Sequence, residues 1–456
     1  MAKKNFDYDL LVIGSGAGGS IAAAIVARQG KRVALVEKGL LGGDSANIGD
    51  VPANAMLHVA RIFSEAKSAG KFGIRSNAIG YNYPSIKNWK EKVVSRTVTG
   101  GGKRYFESVG VTVIAGSAHF ISPHEVSINR RHVSAEHILI ASGAQWSLPD
   151  ITGLDKVDCL TPATALDLIR PPKSLFVIGG GAVGLEFARL FSAFGSKIYI
   201  GEIAPRLLPR EDQEAGVLAA KILSQQYGVT PLTETRVTKV TKDGAAKRVT
   251  FMQGREERSV KVEEVLIAAG KVPRVDIGLE NAGIDYSPRG IEVNEYLQTS
   301  ARHIFAAGDV LGGFGLTHVA LMESRVVAHN ILRKQKASPN YRSIPRITNI
   351  VPEIASVGMN EDDLIKRDLA YKKSVVPLGI VGRAIITDTH EGFVKILADK
   401  KTGRILGATI AAPYAGEMIH ELTLAIAHDM TAGDIASTMH AFPSWSEAIR
   451  IACAKI

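Results

Sequence analysis

The sequence predicts an α/β fold built around a strand–turn–helix–strand unit that occurs twice. The first copy starts with the apolar stretch at residues 8–13, continues through a glycine-rich turn and a helix of small residues, and ends in a second apolar strand. The same order of elements returns after residue 173. A length of 456 residues indicates about three domains, so the repeat accounts for two of them.

The turn of the first copy has the glycine spacing that a bound pyrophosphate requires. Gly14 permits a tight turn, Gly16 lets a phosphate approach the backbone, and Gly19 lets the helix pack closely against the strand. The helix N-terminus offers free N–H groups and the positive end of its dipole. Glu37 ends the second strand and can accept hydrogen bonds from the ribose hydroxyls of an adenosine. The unit is therefore predicted to be a Rossmann-like dinucleotide-binding domain.

The second copy repeats the first at a constant offset of 165 residues. Five positions of the first copy recur in the second. They are Gly14, Gly16, Gly19, Gly30 and Glu37, which correspond in order to Gly179, Gly181, Gly184, Gly195 and Glu202. One such turn is weak evidence, whereas two copies with the same flanking elements are strong evidence. The chain is therefore predicted to bind a tightly held FAD and a nicotinamide cofactor. Glu202 repels a 2′-phosphate and favours NADH over NADPH, a preference that nearby Arg206 softens.

Composition and charge argue against several other classes of protein. The net charge of +10 is scattered rather than concentrated in a basic stripe, which argues against a nucleic-acid partner and leaves only a weak case for an anionic membrane surface. No apolar run reaches the ~18 residues of a membrane span, and no signal peptide precedes the first strand, so a cytoplasmic protein without a transmembrane segment is expected. Cys159 and Cys453 are too few and too far apart for a disulfide framework or a multi-cysteine metal site, and no metal is predicted.

Beyond the glycine turns, the chain resembles the dihydrolipoamide dehydrogenase and glutathione reductase family from about residue 7 to residue 452. The stretch ILIASG, which ends at Gly143, resembles the end of the family's first FAD segment, and HIFAAGDV, which contains Asp309, resembles its second FAD motif. The resemblance implies two Rossmann-like dinucleotide-binding domains plus a C-terminal α+β dimerisation domain, assembled as a homodimer. The implied segments are FAD-binding 1–150, nicotinamide-binding 151–275, FAD-binding again 276–340 and dimerisation 341–456.

The resemblance also assigns cofactor contacts residue by residue. The residues implied for FAD are Gly14, Gly16, Gly18, Gly19, Glu37, Lys38, Gly43, Asp44, Ser45, Gly49, Asn54, Ala118, Ala141, Ser142, Gly143, Gly308, Asp309, Leu316, Thr317, His318 and Val319. The residues implied for the nicotinamide cofactor are Gly179, Gly181, Ala182, Val183, Gly184, Glu202, Val237 and Gly270, while Glu186 is implied beside the flavin and is a catalytic candidate. The stretch after Gly270 matches the family only loosely, because Lys271 and Arg274 depart from its pattern.

The chain departs most from the family at residues 42–54. In the family this stretch carries a redox-active cysteine pair and a lysine. Here Ser45 and Asp50 stand at the two cysteine positions and Asn54 stands at the lysine position, while Glu186, the lysine's partner in the family, remains. Serine and aspartate cannot hold two electrons as a disulfide.

The family's C-terminal active-site segment has changed as well. Phe442 stands at the position of the catalytic histidine base, whereas Glu447, which orients that base, persists. His440 matches the first histidine of the family motif and is not the base. A histidine base is not required when there is no dithiol for it to deprotonate. The sequence therefore predicts that the chain is not a disulfide reductase by the family mechanism.

What remains predicts an FAD-dependent NAD(P)H oxidoreductase that reduces a small-molecule acceptor directly, with a quinone as a candidate. Ser45 and Asp50 would form the floor of the acceptor site. Asp50 is expected either to donate a proton to the acceptor, if it is buried, or to cap the helix that begins near Pro52. Ser45 is expected to be a hydrogen-bonding filler. Phe442 and Trp445 of the partner subunit would either form the wall of the site or pack in an ordinary interface.

Two alternative functions stay open at this point. A soluble pyridine nucleotide transhydrogenase would use both nicotinamide cofactors comparably at one site, which Glu202 argues against. A redox-inactive paralogue would keep FAD as a structural cofactor and act as a binding or sensing subunit.

Overall fold

The protein consists of two compact units, each assembled from separate stretches of the chain. A computed structural model describes residues 5–75, 78–100 and 102–456. The first unit comprises residues up to 56, 84–147 and 270–339, and the second comprises 57–83, 148–269 and 340–456.

The first unit is built on a parallel sheet. Its strands lie in the order Val111–Ala115, Val33–Glu37, Tyr8–Ile13, Arg131–Ile140 and Ile304–Ala306. Leu10, Leu11 and Val12 are fully buried, because a parallel sheet is covered on both faces and its strands are continuous apolar runs. An antiparallel meander of Ala118–Ser122 and Glu125–Ile128 extends from the start of Arg131–Ile140.

Two helices cover one face of this sheet. The helix Ala17–Arg28 and the helix Thr317–Leu332 contribute Ala23 and Val327 to one apolar cluster. The Ala22 amide donates a hydrogen bond of 2.9 Å to Ser324 Oγ. Small residues at this contact let the two helices approach closely, which brings both of their N-termini to the same edge of the sheet as the glycine turn.

The first unit has further short elements. Its other helices are Gly43–Asn47, Tyr83–Gly100 and Lys103–Ser108, together with the first turns of Asp50–Ser68. Tyr83 itself belongs to the second unit. Two 3-10 turns, Leu279–Ala282 and Asp309–Leu311, complete the first unit. Its other strands are Ala144–Trp146, paired with Lys271–Pro273, and Tyr286–Ser287, paired with Gly290–Ile291.

The second unit contains a second parallel sheet and an antiparallel meander. The parallel strands lie in the order Thr230–Leu232, Lys197–Gly201, Ser174–Ile178 and Glu264–Ile267. The meander consists of Thr235–Asp243, Ala246–Gln253 and Glu256–Val262. Its helices are Pro162–Ala165, Ala182–Ala193, Gln213–Tyr227 and the 3-10 turns Ala69–Phe72 and Leu154–Lys156.

The C-terminal region of the second unit is α+β. Its antiparallel sheet has the order Arg346–Thr348, Glu353–Gly358, Ile405–Ala412, Phe393–Asp399 and Tyr371–Pro377. Ile419 and Ile449 from two of its helices share one apolar core with Ile396 and Ile410 of the sheet. The helices are Glu361–Lys366, Gly382–Ile386, Ala415–Ala427, Ala432–Ser437, Glu447–Cys453 and the 3-10 turn Leu378–Ile380. The predicted fold class is confirmed.

The grouping into compact units differs from the predicted linear division. Residues 57–83 were expected in the first domain, yet they pack in the second unit. Arg189 Nη2 donates to Ser64 Oγ at 3.0 Å, and the Phe63 and Phe194 rings stack with centroids 5.7 Å apart. The helix Asp50–Ser68 therefore leaves the first unit after Met56, because its later turns carry the aromatic side chains of the second core. The divisions at residues 150, 275 and 340 stay predictions.

Across the described residues, no helix combines the length and the apolar character that crossing a membrane requires.

Candidate functional site

The first glycine turn is closed by backbone on several sides. Gly14 has φ +103°, and a Cβ there would lie 2.2 Å from the Ala141 carbonyl oxygen. A Cβ at Gly19 would lie 2.0 Å from the Gly14 carbonyl oxygen, and one at Gly18 would lie 2.7 Å from that of Ala307. Since real Cβ atoms do not approach this closely, these positions need glycine for packing reasons alone. The predicted residues Gly14, Gly18, Gly19 and Ala141 are thus brought together.

A second glycine pair closes the other side of the turn. A Cβ at Gly43 would lie 2.6 Å from Gly16 Cα, so the short helix Gly43–Asn47 starts directly against the turn. Gly16 is the N-cap of the helix Ala17–Arg28 and has no side-chain cap. The amide groups of the first helical turn therefore point into the space that the glycines leave.

Glu37 is held beside this turn by three hydrogen bonds. Its Oε2 accepts from the Ser15 amide at 2.9 Å and from Ser15 Oγ at 2.6 Å, and its Oε1 accepts from the Gly39 amide at 2.8 Å. Ser15 is fully buried, and its Oγ also accepts from the Gly42 amide at 3.1 Å. Ser15 was missed by the sequence analysis, because a serine inside a glycine turn carries no signal of its own.

The second turn reproduces this arrangement at the same offset. Glu202 Oε2 accepts from the Gly180 amide at 2.7 Å, and its Oε1 accepts from the Ala204 amide at 2.8 Å. Gly179 has φ +112°, and a Cβ at Gly184 would lie 2.0 Å from the Gly179 carbonyl oxygen. In contrast to its counterpart Gly16, a Cβ added at Gly181 would meet no atom of the described residues within 4 Å. At this one position the second turn is less enclosed than the first, although a Cβ at the neighbouring Gly180 would lie 2.7 Å from Leu207 Cδ2.

Arg206 is engaged elsewhere in the second unit. Its Nη2 donates to Asp362 Oδ2 at 2.8 Å and to the Glu211 carbonyl at 3.4 Å. An arginine held in this way is not free to receive a 2′-phosphate. The expected softening of the nucleotide preference by Arg206 therefore has no support in this geometry.

The segment around Asp309 is anchored by residues that the motifs did not reveal. The Gly308 amide donates to the buried Glu323 Oε2 at 2.7 Å, and Lys271 Nζ lies 3.4 Å from Asp309 Oδ2. Ser142 Oγ donates to the Arg274 carbonyl at 2.8 Å, and the Arg274 amide donates to the Gly143 carbonyl at 2.9 Å. Lys271 and Arg274, which depart from the family pattern, therefore hold predicted FAD residues in place.

Ser45, Asp50 and Thr317 form a hydrogen-bonded cluster. Ser45 Oγ donates to Asp50 Oδ2 at 2.7 Å, and Thr317 Oγ1 donates to the same oxygen at 2.6 Å. The two hydroxyl oxygens are 3.0 Å apart. Three predicted site residues from three helices are thus brought together: Ser45 from Gly43–Asn47, Asp50 from Asp50–Ser68 and Thr317 from the first turn of Thr317–Leu332.

This cluster corrects two expectations about Asp50. The helix begins at Asp50 itself rather than near Pro52, and the Ala53 amide donates to the Gly49 carbonyl at 3.0 Å, so Gly49 precedes the helix as its cap. The described hydrogen bonds of the Asp50 carboxylate go to hydroxyl groups and not to backbone amides of the helix. The cap interpretation is therefore wrong. Asp50 is also exposed in the single chain. The proton-donor role was expected only for a buried Asp50, and the single chain does not meet that condition.

Asn54 and Glu186, which stand at the positions of the family's lysine–glutamate pair, each have another hydrogen-bond partner. Asn54 is exposed, and its Nδ2 donates to the Asp50 carbonyl one helical turn earlier at 2.9 Å. Glu186 Oε1 accepts from both the amide and Nδ2 of Asn349, each at 2.8 Å. Asn349 is a further residue that the sequence analysis missed, because nothing in its surroundings forms a motif.

The C-terminal segment carries an exposed aromatic ring and an acid whose side chain is largely covered. Phe442 is 76% exposed in the single chain, while Trp445 packs against the C-terminal core. Glu447 Oε2 is buried and has no hydrogen-bond partner among the described residues. His440 Nε2 lies 2.9 Å from Glu421 Oε1, and its Nδ1 lies 2.9 Å from the Thr438 carbonyl. Glu447 Oε1 lies 4.0 Å from Arg450 Nη2, and the role expected for Glu447 from the resemblance stays a prediction.

The remaining predicted contacts fall in three kinds of environment. Lys38 and His318 are exposed, whereas Ala118 and Val237 lie in the apolar cores of their units. The others lie at turns or helix starts, namely Asp44, Gly49, Gly143, Ala182, Val183, Gly270 and Leu316. Their roles in cofactor binding stay predictions.

Comparison with known proteins matches this chain over nearly its whole length. Residues 8–324 match the model of the pyridine nucleotide-disulphide oxidoreductases, and residues 344–453 match the dimerisation domain of the same family. The chain belongs to the pyridine nucleotide-disulphide oxidoreductase family. Members of this family are FAD-dependent and use NAD(P)H, and the matched dimerisation domain indicates a homodimer.

Individual relatives agree with this membership. Mercuric reductase from Bacillus cereus is 32% identical over 98% of this chain and 71% of the relative. Dihydrolipoyl dehydrogenase from Bacillus subtilis is 34% identical over 96% of each chain. The structure of the HOCl-induced flavoprotein disulfide reductase RclA from Escherichia coli is 28% identical, covers 98% of this chain and 99% of that chain, and has a TM-score of 0.88. LpdA from Mycobacterium tuberculosis is 26% identical over 98% of this chain and 99% of that chain, also with a TM-score of 0.88.

The first turn fits the FAD that this family carries. The close approaches at Gly18, Gly19 and Gly43 leave a backbone-lined groove, and the uncapped helix start at Gly16 supplies amide donors for a pyrophosphate. A carboxylate at Glu37 stands at the end of the adjacent strand, where a ribose binds in this fold. The donor set of the chain therefore suits a dinucleotide at this position.

The two cysteines of this family member are not redox-active in character. Burial raises the pKa of Cys159 to about 11 and that of Cys453 to about 12. Both thiols are free, and neither lies in residues 42–54. Reactive cysteines have a lowered pKa, whereas the surroundings of both of these thiols disfavour the thiolate.

One acidic cluster has the spacing of a metal site, but a lysine occupies its centre. The buried Lys395 Nζ donates to Asp212 at 2.9 Å, to Glu214 at 2.9 Å and to Glu361 at 2.8 Å. Burial alone lowers the pKa of Lys395, but the hydrogen bonds to Glu361, Asp212 and Glu214 outweigh it and raise the pKa above its ordinary value. The ammonium group therefore neutralises the carboxylates that a cation would bind.

Proposed function

We propose that this protein is an FAD-dependent oxidoreductase that takes electrons from NADH and passes them to an acceptor that is not a disulfide, with a quinone as the first candidate. The observation that carries the proposal is the cluster of Ser45, Asp50 and Thr317 in the segment where the family resemblance expects a cysteine pair. None of these side chains can take part in thiol–disulfide exchange. When bound, FAD supplies the chemistry of accepting a hydride from a reduced nicotinamide and releasing electrons to a second substrate.

The preference for NADH is supported by the second turn. The Glu202 carboxylate is fixed by two backbone amides beside the turn, at the position where a ribose hydroxyl binds in this fold. A 2′-phosphate at that position would be repelled by this charge. Arg206, the cation that follows Glu202 most closely in the chain, is paired with Asp362.

Asp50 is exposed in the single chain, and we propose that it hands a proton to the acceptor once the acceptor and the partner subunit cover its carboxyl group. Reduction of a quinone to a hydroquinone consumes two electrons and two protons. The described hydrogen bonds to the Asp50 carboxyl group both end on Oδ2, which leaves Oδ1 to face an acceptor, while the second proton comes from solvent. Ser45 and Thr317 orient the carboxyl group, and the exposed Phe442 of the partner subunit offers a ring on which a flat quinone stacks.

The test separates the two half-reactions of the holoenzyme. Without oxygen, NADH is expected to bleach the flavin absorbance of the wild type, and a menadione-type quinone is expected to restore it. In Asp50→Asn, bleaching by NADH is expected to persist while quinone-driven reoxidation slows by roughly a hundredfold, since an amide keeps the hydrogen bonds but has no proton to give. Asp285→Asn, which removes an exposed carboxylate in the same unit, is the matched control and is expected to behave as the wild type.

The outcomes distinguish the competing functions. Equal reoxidation rates in Asp50→Asn and Asp285→Asn would exclude Asp50 as the proton donor. Rapid bleaching without reoxidation by quinones would point to another acceptor, and equal reduction by NADH and NADPH would favour the transhydrogenase. Failure of either nucleotide to bleach the flavin would leave the redox-inactive binding subunit.

A further inference from the structure

Charge is unevenly distributed around the helix Glu361–Lys366 in the C-terminal region. The acidic residues of its first turn are all engaged: Glu361 binds Lys373 and Lys395, Asp362 binds Arg206, and Asp363 completes the cap with Asn360. The other end of the helix carries Lys366 and Arg367, which are exposed. The described contacts give these two cations no acidic partner, so the helix ends in uncompensated positive charge.

A second pair of cations lies close to this helix end. Lys400 and Lys401 are exposed in the turn after the strand Phe393–Asp399, and the Lys400 amide donates to the Ala370 carbonyl at 3.1 Å. The nearest acid of the turn is Asp399, whose Oδ1 accepts from the Lys401 amide at 3.1 Å and from the Thr402 amide at 2.7 Å. These hydrogen bonds lower the pKa of Asp399, led by those from Thr402, and hold its charge inside the turn.

A third pair completes the surface. Lys372 Nζ lies 3.0 Å from the Ile456 main-chain oxygen, which brings the exposed Lys455 to the same strand edge. We name the region around the start of the strand Tyr371–Pro377, which carries six exposed cations, the basic corner. These cations are Lys366, Arg367, Lys372, Lys400, Lys401 and Lys455. Asp368 is the exposed acid within the same stretch.

Apolar side chains are exposed among these cations. Ile365 is 63% exposed and Leu369 is 40% exposed, one on each side of Lys366 and Arg367. Exposed apolar side chains occur elsewhere on this chain as well, so it is their position among the cations that matters here. Cations interleaved with apolar side chains are the composition that binds the headgroup region of an anionic lipid layer, because the charges attract the phosphates while the apolar groups insert between them.

We propose that the basic corner docks the protein onto an anionic lipid surface. Its occupant is a bilayer rich in anionic phospholipid rather than a nucleic acid. A nucleic-acid backbone would be bound through the cations alone, whereas a bilayer also offers an apolar region for Ile365 and Leu369. The inference is independent of the proposed reaction. If both hold, docking brings the enzyme beside lipid-soluble acceptors.

The test compares two charge-reversal pairs in the holoenzyme. Lys400→Glu with Lys401→Glu removes cations from the basic corner, and Arg130→Glu with Arg131→Glu makes the same change of net charge at an exposed hairpin turn of the first unit. Co-sedimentation with vesicles of phosphatidylglycerol and phosphatidylcholine is expected at low salt for the wild type and for the Arg130/Arg131 pair. The Lys400/Lys401 pair is expected to bind more than about thirtyfold more weakly, since loss of each lysine near an anionic surface removes about a factor of five and each new glutamate adds repulsion.

The contribution of the exposed apolar side chains is tested separately. Ile365→Ser with Leu369→Ser is expected to weaken binding to the same vesicles without changing its salt dependence. Equal weakening by both charge-reversal pairs would overturn the proposal, because net charge alone would then explain binding. Equal binding to vesicles of phosphatidylcholine alone would also overturn the proposal. So would binding to an RNA homopolymer that is tighter than binding to the vesicles and is lost in the Lys400/Lys401 variant. Flavin content and melting temperature of each variant show that it is folded.

Discussion

The two glycine turns of this protein share a sequence pattern and a hydrogen-bond pattern, but they differ in how they are enclosed. Glu37 and Glu202 each fix their turn through the same two backbone amides, offset by 165 residues. Around the first turn, Gly16 lies against Gly43 and Gly18 lies against Ala307, whereas the space beside Gly181 is open among the residues that the structure describes.

We expect this difference to separate a resident cofactor from an exchanging one. A turn enclosed by three other stretches of backbone holds a dinucleotide that dissociates slowly, because release requires several segments to move. An open turn lets a dinucleotide enter and leave during each turnover. The same local motif is therefore expected to serve FAD at the first site and a nicotinamide substrate at the second.

The largest effect is expected from placing a methyl group in each turn. Gly19→Ala and Gly184→Ala both bring a Cβ within 2.0 Å of a carbonyl oxygen, a clash that costs about 1–3 kcal/mol of unfolding free energy or more. Gly19→Ala is expected to yield protein without flavin. Gly184→Ala is expected to keep its flavin while NADH no longer bleaches it, as measured by absorbance after purification and in anaerobic mixing. Gly181→Ala, with open space around it, is the control for folding. Loss of flavin from both variants would abolish the distinction between the turns.

A smaller effect is expected from the buried hydroxyl that only the first turn contains. Ser15→Ala removes the bridge between Glu37 and the Gly42 amide and leaves that half-buried amide without its hydroxyl acceptor, at a cost of about 1–3 kcal/mol. Urea unfolding should show this loss together with faster release of FAD, and Ser20→Ala on the adjacent helix should show neither. Unchanged flavin release in Ser15→Ala would mean that Ser15 does not contribute to enclosure.

Neutralising the acid of the open turn should change nucleotide choice. Glu202→Gln removes the charge that repels a 2′-phosphate, so the ratio of kcat/KM for NADPH to that for NADH is expected to rise by about tenfold, equivalent to one charged hydrogen bond or repulsion. The equivalent change at the enclosed turn, Glu37→Gln, should leave this ratio unaltered. A shifted ratio in Glu37→Gln would place the nicotinamide cofactor at the wrong turn.

The smallest effect is expected from freeing Arg206. Asp362→Ala removes the partner that holds its guanidinium at 2.8 Å, and an exposed pair of this kind contributes only ~0.2–1 kcal/mol. A rise of a few-fold in the same kcat/KM ratio is therefore expected. Glu256→Ala breaks an exposed arginine pair in the same unit and serves as the comparison. A ratio that stays constant in Asp362→Ala would show that Arg206 cannot reach the second ribose.

Most of the framework could be predicted because each part of it is encoded locally. Apolar runs, glycine spacing and terminal acids predicted both turns, and the resemblance predicted the C-terminal α+β region. The hydrogen bonds from Asn349 to Glu186 and from Gly308 to Glu323 were not predictable in this way. They join residues far apart in sequence, and neither asparagine nor a buried glutamate forms a recognisable motif.

Residues 42–54 show the same limit at the candidate active site. The absence of cysteine there was evident from the sequence, and it excluded disulfide chemistry at that segment. That Ser45 and Thr317 both donate to one oxygen of Asp50, and that Asp50 does not cap its helix, depended on three helix ends meeting.

The sequence by itself determined that there are two dinucleotide turns, which acid accompanies each turn and which redox groups are missing. These properties depend on residue type and on spacing along a strand, a turn and a helix. Only the tertiary structure decided that the first turn is enclosed and the second open, that Arg206 is occupied by Asp362, and that six cations with two apolar side chains share one corner. Enclosure and pairing depend on distances between segments that are far apart in the chain, and those distances are set by the packing of the folded units.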